Sequence, residues 1–204
     1  MALEGYSGAK EVQLTESEAS GFEFGFDLIK DAVRKAGFSD EALALLDFKA
    51  TAHTLTIPPE ESGLGGAFHT HADGKPFYTV TVSAPDALTE LAYGSAGKTP
   101  TELSTKAQAF YVAFEIGNNV SRVMQPVLTQ HYGMKDPDGL LTSGATMSMG
   151  DPYTVELPMR CDPLMYTMAM AAVLDMRLQQ LVQQKPDAST QPANKQNPPQ
   201  GPKL

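Results

Sequence analysis

The sequence predicts a single α+β domain in which a small, mostly antiparallel sheet packs against four to five helices, followed by a disordered C-terminal tail. Three observations predict this fold class. The chain has 204 residues, 42% of them hydrophobic, and a chain of this size can bury one core without disulfides. Segments with apolar residues at helical spacing alternate with short runs that are rich in Thr and apolar residues. Residues 185–204 show neither pattern.

The first predicted element is a helix over about 20–36. Its apolar residues recur at helical spacing, and Gly37 stands where helices commonly end. The residues of this stripe are Phe22, Phe26, Ile29 and Val33. Residues 1–19 are mostly polar, with scattered apolar side chains. The sequence therefore predicts a loosely ordered N-terminal segment before a domain that spans 20–184.

Three short strands are predicted after a second, short helix, which Ser39 would cap and which would continue to Leu46. Residues 48–57 are rich in Thr and apolar residues and are followed by two prolines. Residues 67–71 and 77–82 are short runs separated by Gly-containing turns. We expect these three runs to form the small sheet.

Two more helices are predicted over about 84–93 and 100–124. Before each, a Ser or Thr precedes a Pro and an acid follows three residues later, which is the capping-box pattern. The pairs are Ser83 with Asp86 and Thr99 with Glu102. Pro126 is expected to end or kink the longer helix.

The C-terminal third is predicted to contain a loop, one edge strand and a long helix. Residues 133–158 are rich in Gly, Met and Thr, with the edge strand at 153–157. Asp162 and Pro163 are suited to open the last helix. Its predicted buried stripe consists of Leu164, Met168, Ala171, Leu174, Leu178, Leu181 and Val182. The tail, 185–204, is rich in Pro and Gln and is predicted to be disordered.

Composition argues against several classes of function. The formal net charge is −9 and no run of Lys or Arg occurs, so we expect no nucleic-acid partner. No stretch approaches the ~18 apolar residues of a membrane span, and the N-terminus lacks the pattern of a secretion signal. The lone Cys161 cannot form an intramolecular disulfide and is interpreted as a small core residue. We therefore expect a cytoplasmic protein.

A candidate metal site centres on His69 and His71. These residues lie two apart on a predicted strand, so both imidazoles would point to one face. Together with Ser83, Asp86 and the upstream Glu41 they resemble the JAMM metallohydrolase signature of His-x-His followed by Ser-x-x-Asp. The resemblance implies that His69, His71 and Asp86 hold zinc, that Glu41 activates the bound water and that Ser83 stabilises the oxyanion.

Structural explanations of these motifs stay open. The residues from Ser83 to Asp86 are also explained as a capping box, and histidines in a Thr-rich strand can simply face solvent. A second segment, Phe114 to Asn118, is similar to the His-Glu-x-x-His helix of zinc peptidases with both histidines replaced. We interpret it as an amphipathic core helix in which Glu115 is incidental.

Methionines are concentrated near the C-terminus, and a Met-rich surface adapts well to a protein partner. On the last helix, Met165, Met170 and Met176 lie outside the main apolar stripe. They therefore predict a second apolar surface on this helix that contacts a partner. The alternative is that these methionines fill the core of the domain. We therefore favour a non-catalytic cytoplasmic adaptor that uses these three residues to contact a protein partner or a second copy. Such an adaptor needs no cofactor, whereas the alternative, a zinc-dependent hydrolase, needs zinc.

Overall fold

A computed structural model describes residues 9–55, 76–131, 145–159 and 161–183 of the chain. These residues form five strands and six α-helices. The strands are β1 (Ala9–Val12), β2 (Asp47–Leu55), β3 (Phe77–Ala84), β4 (Thr146–Ser148) and β5 (Tyr153–Met159). The helices are α1 (Glu16–Lys35), α2 (Asp40–Leu43), α3 (Leu88–Gly94), α4 (Thr105–Glu115), α5 (Ser121–His131) and α6 (Pro163–Gln183). None of these helices is long and apolar enough to cross a membrane.

The strands form one antiparallel sheet in the order β1-β2-β3-β5-β4. The predicted α+β fold class is therefore confirmed. Two details of the sequence prediction are corrected. The strand predicted at an edge is β5, and it lies inside the sheet because it pairs with both β3 and β4. The N-terminal segment contributes β1, which pairs with β2 and so forms one edge.

The sheet presents an apolar face on which the helices pack. Residues alternate between the two faces of a strand, and Val80, Val82 and Val155 on the inner face are fully buried. On the opposite face Thr81 and Glu156, which are paired across β3 and β5, stay partly exposed. This alternation gives two layers, with the core between the sheet and the helices.

Aromatic pairs connect α1 and α4 to the inner face of the sheet. On α1, the Phe22 ring lies 5.6 Å from that of Tyr78, in an edge-to-face arrangement. On α4, the Phe110 and Tyr153 ring centroids are 4.7 Å apart. Rings at these distances pack favourably beyond their burial alone. Cys161 is buried beside this core, as predicted, and burial raises the pKa of its thiol to about 12.

Both ends of α1 are set by local sequence. Thr15 and Glu18 form a capping box, so the helix begins at Glu16, inside the segment that was predicted to be loosely ordered. At the other end Gly37 adopts φ of 91°, a left-handed conformation, and the Phe38 amide donates to the Val33 carbonyl. This arrangement is a Schellman motif, and it confirms the predicted end of the helix.

The capping predictions before α3 and α4 hold only in part. Ser83 lies within β3 and α3 begins later, at Leu88, so Ser83 does not cap that helix. Thr99 and Glu102 do form a capping box, but it caps a short 3₁₀ turn. Ser104 caps α4.

The long helix does not end at Pro126, which lies inside a helix, so that of the two predicted effects of this proline only a kink stays a prediction. A π-helical segment, Ile116–Val120, joins α4 to α5, and α5 runs to His131. Within the segment a β-carbon on Gly117 would lie only 3.0 Å from Val155 Cγ2, so the glycine allows the helix to approach the sheet closely. The predicted strand at 67–71 and the predicted tail at 185–204 lie outside the described residues.

Candidate functional site

The outer face of α6 carries a row of exposed apolar side chains, which we call the α6 ridge: Leu164, Met168, Ala172 and Met176. They are spaced four residues apart, so they follow one another along one side of the helix. The exposed fractions of the three large ones are 37% for Leu164, 39% for Met168 and 56% for Met176. At a rise of about 1.5 Å per residue, the ridge is about 18 Å long.

The ridge is exposed because the opposite face of α6 packs against the core. Met170, Leu174 and Leu178 are fully buried and supply the contacts of the helix with the core. Met170 is therefore a core residue, which corrects its prediction as a partner-binding residue. Of the other two methionines, Met165 is partly buried against the core and Met176 is exposed. A contact of Met165 or Met176 with a partner stays a prediction.

Helix α1 lies against α6 with its own exposed aromatic side chain beside the ridge. Gly25 packs on the Thr167 side chain, and a β-carbon on Gly21 would lie 3.5 Å from the Leu164 backbone nitrogen. The two glycines thus let the helices approach closely at their N-terminal halves. Phe24, between them, is 56% exposed and extends the apolar surface from α6 onto α1.

A cleft of about 320 Å³ lies where the N-terminal ends of α1 and α6 meet. Phe24 and Leu164 supply its apolar lining, while Glu18 and Asp162 supply carboxylates. The Asp162 carboxylate accepts a hydrogen bond from the Met165 amide at 2.9 Å, so it caps α6 as the sequence predicted. The cleft therefore joins the apolar ridge to two acidic side chains.

The Glu18 carboxylate is held in its ionised form. Its Oε1 accepts a hydrogen bond from the Tyr78 hydroxyl at 2.5 Å, and its Oε2 accepts from the Thr15 amide at 2.8 Å. Burial alone would raise the pKa of Glu18, but the hydrogen bonds from Tyr78 and Thr15 outweigh it and lower that pKa below its usual value. The cleft is therefore anionic at neutral pH.

The sequence on either side of the cleft residues contains more acids than bases. Residues 16–27 of α1 and 161–172 around the start of α6 contain no Lys or Arg. Their acids are Glu16, Glu18, Glu23, Asp27 and Asp162. Glu16, Glu23, Asp27 and Asp162 are exposed. Asp27 pairs with Lys30 at 3.5 Å, and farther along the two helices Lys35 pairs with Asp175 at 2.7 Å. The ridge, Phe24 and the cleft together form one surface, which we call the α1/α6 surface.

The residues predicted for zinc chemistry are not brought together in the described part of the chain. The Asp86 carboxylate accepts a hydrogen bond from the Leu88 amide at 2.9 Å, at the start of α3. The Ser83 hydroxyl lies 3.3 Å from that of Thr154 on β5, and Glu41 is exposed on α2. His69 and His71 lie outside the described residues. Within the described ranges no group of three or more His, Cys, Asp or Glu could hold a metal.

The segment that resembles a peptidase helix supplies the buried carboxylate of an ion pair with α6, so Glu115 is not incidental. The Glu115 carboxylate is 6% exposed and lies 3.3 Å from Arg177 on α6. It also accepts a hydrogen bond from the Asn119 side chain at 2.8 Å. Burial raises the pKa of the neighbouring Tyr111, and Glu115 adds to that shift. Glu115 is thus engaged in joining α4 to α6 and is not free to act as a base toward solvent.

The sequence pattern alone does not identify three exposed residues of the α1/α6 surface, Leu164, Met168 and Phe24. Leu164 and Met168 were predicted to be buried because they share a helical stripe with core residues, yet both are exposed. Phe24 lies off the buried stripe of α1, and an aromatic residue in that position is itself a signal of a second apolar surface.

Comparison of the chain with protein-family models, with curated protein sequences and with solved structures found no match.

Proposed function

We propose that this chain is a non-catalytic cytoplasmic protein that binds another protein through the α1/α6 surface. One observation carries the proposal: Phe24, Leu164, Met168 and Met176 are large, apolar and exposed, and they belong to two helices in contact. Single exposed apolar residues are common on protein surfaces, whereas contiguous ones commonly mark an interaction site.

Covering this surface would contribute to the binding free energy of a complex. Full burial of a Leu, Met or Phe side chain contributes about 1.5 to 3 kcal/mol each relative to leaving it exposed. These side chains are between 37% and 56% exposed, so each would contribute a part of that amount when covered. Because the helices beneath are fixed by the core, binding would order no backbone on this side, although the exposed side chains would still lose rotamer freedom.

The zinc-hydrolase alternative gains no support from the described contacts. The Asp86 carboxylate is engaged at the start of α3, and the Ser83 hydroxyl is paired with Thr154. Its two histidines lie outside the described residues, so that alternative stays a prediction. Metal content of the purified full chain is the measurement that tests it.

Site-specific photo-crosslinking tests the proposed function. A benzophenone amino acid at position 168 on the α6 ridge is compared with the same amino acid at position 88 on α3. Leu88 is a matched control, because it is 42% exposed against 39% for Met168. We expect an adduct from position 168 and none from position 88 in an extract of the cells that produce the protein. Equal labelling at both positions, or none at 168, would contradict a binding role for the ridge.

A further inference from the structure

We propose that Met147 is a modification site, at which oxidation of the thioether to the sulfoxide by hydrogen peroxide releases β4 from the edge of the sheet. Met147 is the middle residue of β4, a strand of three residues that pairs with β5. The site is separate from the α1/α6 surface, so the inference does not depend on the proposed binding role.

The sulfur of Met147 lies between β4 and the π-helical segment. Its Sδ accepts a hydrogen bond from the Asn118 side-chain amide, at an Nδ2–Sδ distance of 3.3 Å. A β-carbon on Gly117 would lie only 3.1 Å from the same sulfur, so the thioether fills the space that this glycine leaves. Met147 therefore connects the edge strand to the helix layer.

Few other contacts hold β4 in place. All three of its residues are exposed, and they pair with residues 154–156 of β5. Thr146 and Ser148 direct their side chains to the opposite face of the sheet, because side chains alternate along a strand. In the described ranges β4 is the last strand of the sheet order, with β5 as its neighbour. The position of so short a strand therefore depends strongly on the Met147 side chain.

The groups around the sulfur are themselves fixed. The Asn118 amide also donates to the Phe114 carbonyl at 3.2 Å, which ties it to its own helix. Gly117 is buried, and Val155, the register partner of Met147, is fully buried in the core. A larger or more polar group on the sulfur is therefore accommodated by movement of β4, since the helix and β5 have no freedom to retreat.

The Met147 side chain is accessible to a small oxidant, because this residue is 39% exposed. In the reaction with hydrogen peroxide the O–O bond breaks and one oxygen forms a bond to sulfur. The thioether is oxidised by two electrons, and the peroxide is reduced to water, which carries away both of its protons. Peroxide is thus the single reactant that the step requires.

Oxidation removes the sulfur contact whichever side the oxygen enters. An oxygen on the lone pair that faces Asn118 would occupy the space of the N–H group and force the sulfur to retreat. An oxygen on the solvent side leaves the sulfur positively polarised, so that it repels the positively polarised N–H group. In both cases an apolar side chain becomes polar and packs poorly against Val155 and Gly117. The strand is then held by its ladder to β5 alone.

Hydrogen–deuterium exchange of the full chain, before and after treatment with hydrogen peroxide, tests the inference. Peptide mass spectrometry locates each sulfoxide. The first variant is Met147→Leu, which keeps an apolar side chain but has no sulfur. The matched control is Met168→Leu, because Met168 is also 39% exposed but lies on α6. A triple variant replaces Met149, Met168 and Met176 by Leu and retains Met147.

We expect oxidation of Met147 to raise the exchange rates of the β4 amides, and of the β5 amides that face them, about five- to tenfold. This is the change expected when one hydrogen bond and its packing are lost. The treated wild type, Met168→Leu and the triple variant should all show the rise, whereas Met147→Leu should not. Methionine sulfoxide reductase, which restores the thioether, should reverse it.

Unchanged exchange in β4 and β5, in a protein whose Met147 is oxidised, would overturn the inference. An equal rise in Met147→Leu would do the same, because the effect would then come from another residue. A Met147 that stays reduced while Met168 is fully oxidised would show that the sulfur is protected and would reject the site. If Met147→Leu already exchanges rapidly without peroxide, the treated and untreated triple variant decide the question, since that protein retains Met147.

Discussion

Gly25 on α1 lies so close to Thr167 on α6 that a β-carbon at position 25 would overlap the Thr167 hydroxyl oxygen. That hydroxyl is itself fixed, since it donates to the Pro163 carbonyl at 2.8 Å. This contact determines how near the two helices lie, and it therefore determines where Phe24 stands relative to the α6 ridge.

Gly25→Ala should destabilise the fold, because the added methyl group must displace Thr167 or separate the helices. Overpacking of this kind costs about 1 to 3 kcal/mol, more than the gain of up to about 1 kcal/mol from the better helix propensity of Ala. Urea unfolding measures the difference.

Gly21→Ala is the matched control for Gly25→Ala, since a β-carbon there would make only an ordinary contact, 3.5 Å from the Leu164 nitrogen. We expect it to be neutral or slightly stabilising. Equal losses of stability in the two variants would show that close approach at Gly25 is not what limits the distance between the helices.

Met170→Glu and Met176→Glu should differ strongly in their effect on folding. Met170 is fully buried, so a carboxylate there would be desolvated without a partner and should cost several kcal/mol. Met176 is exposed, and its replacement should change stability by no more than about 0.5 kcal/mol. Thermal melts of both variants check this, and a similar fall in melting temperature for the two would place Met176 in the core as well.

Tyr78→Phe should reduce stability at neutral pH and matter less in acid. The folded state lowers the pKa of Glu18, so this group stabilises the fold above its unfolded pKa of about 4.3. That contribution disappears as the pH falls through the lower, folded pKa. The Tyr78 hydroxyl bond is one cause of the lowering, so its removal takes away part of the pH-dependent stability.

Urea unfolding of the wild type and of Tyr78→Phe at a series of pH values between neutral and about 3 tests this. The gap between the two proteins should narrow as the pH falls. A gap that stays constant across the series would mean that the hydroxyl contributes by packing alone, independently of the Glu18 charge.

Where local signals specify an element, the sequence predicts it well. The end of α1 at Gly37 and the start of α6 at Asp162 and Pro163 depend on residues within one turn, and both are confirmed. The strands β1 and β4 have only 4 and 3 residues, and they exist through pairing with distant strands. A pattern of apolar residues along the chain does not reveal such pairing.

The candidate site was harder to predict for a different reason. Helix α6 is apolar around much of its circumference, so helical spacing alone offers two overlapping stripes. Which of them is buried depends on the contact with α1 through Gly21 and Gly25. Met170 therefore lies in the core while Met168 is exposed, the reverse of the sequence prediction.

Arg177→Ala should destabilise the protein because it leaves the Glu115 carboxylate buried with fewer partners. Arg177 lies 3.3 Å from that carboxylate, which is only 6% exposed. A buried group that loses a hydrogen-bonding partner costs about 1 to 3 kcal/mol, and more when it is charged. Because Arg177 itself is 35% exposed, water can replace part of the lost contact, so we expect the lower part of this range.

The decisive measurement is a double-mutant cycle with Glu115→Gln, which removes the charge but keeps the shape of the side chain. If the buried charge causes the loss, Arg177→Ala should cost clearly less in the Glu115→Gln background than in the wild type. Urea unfolding of the four proteins gives the coupling free energy directly. A coupling near zero would mean that Arg177 stabilises α6 through the packing of its aliphatic stem, and that the ion pair does not hold α4 and α6 together.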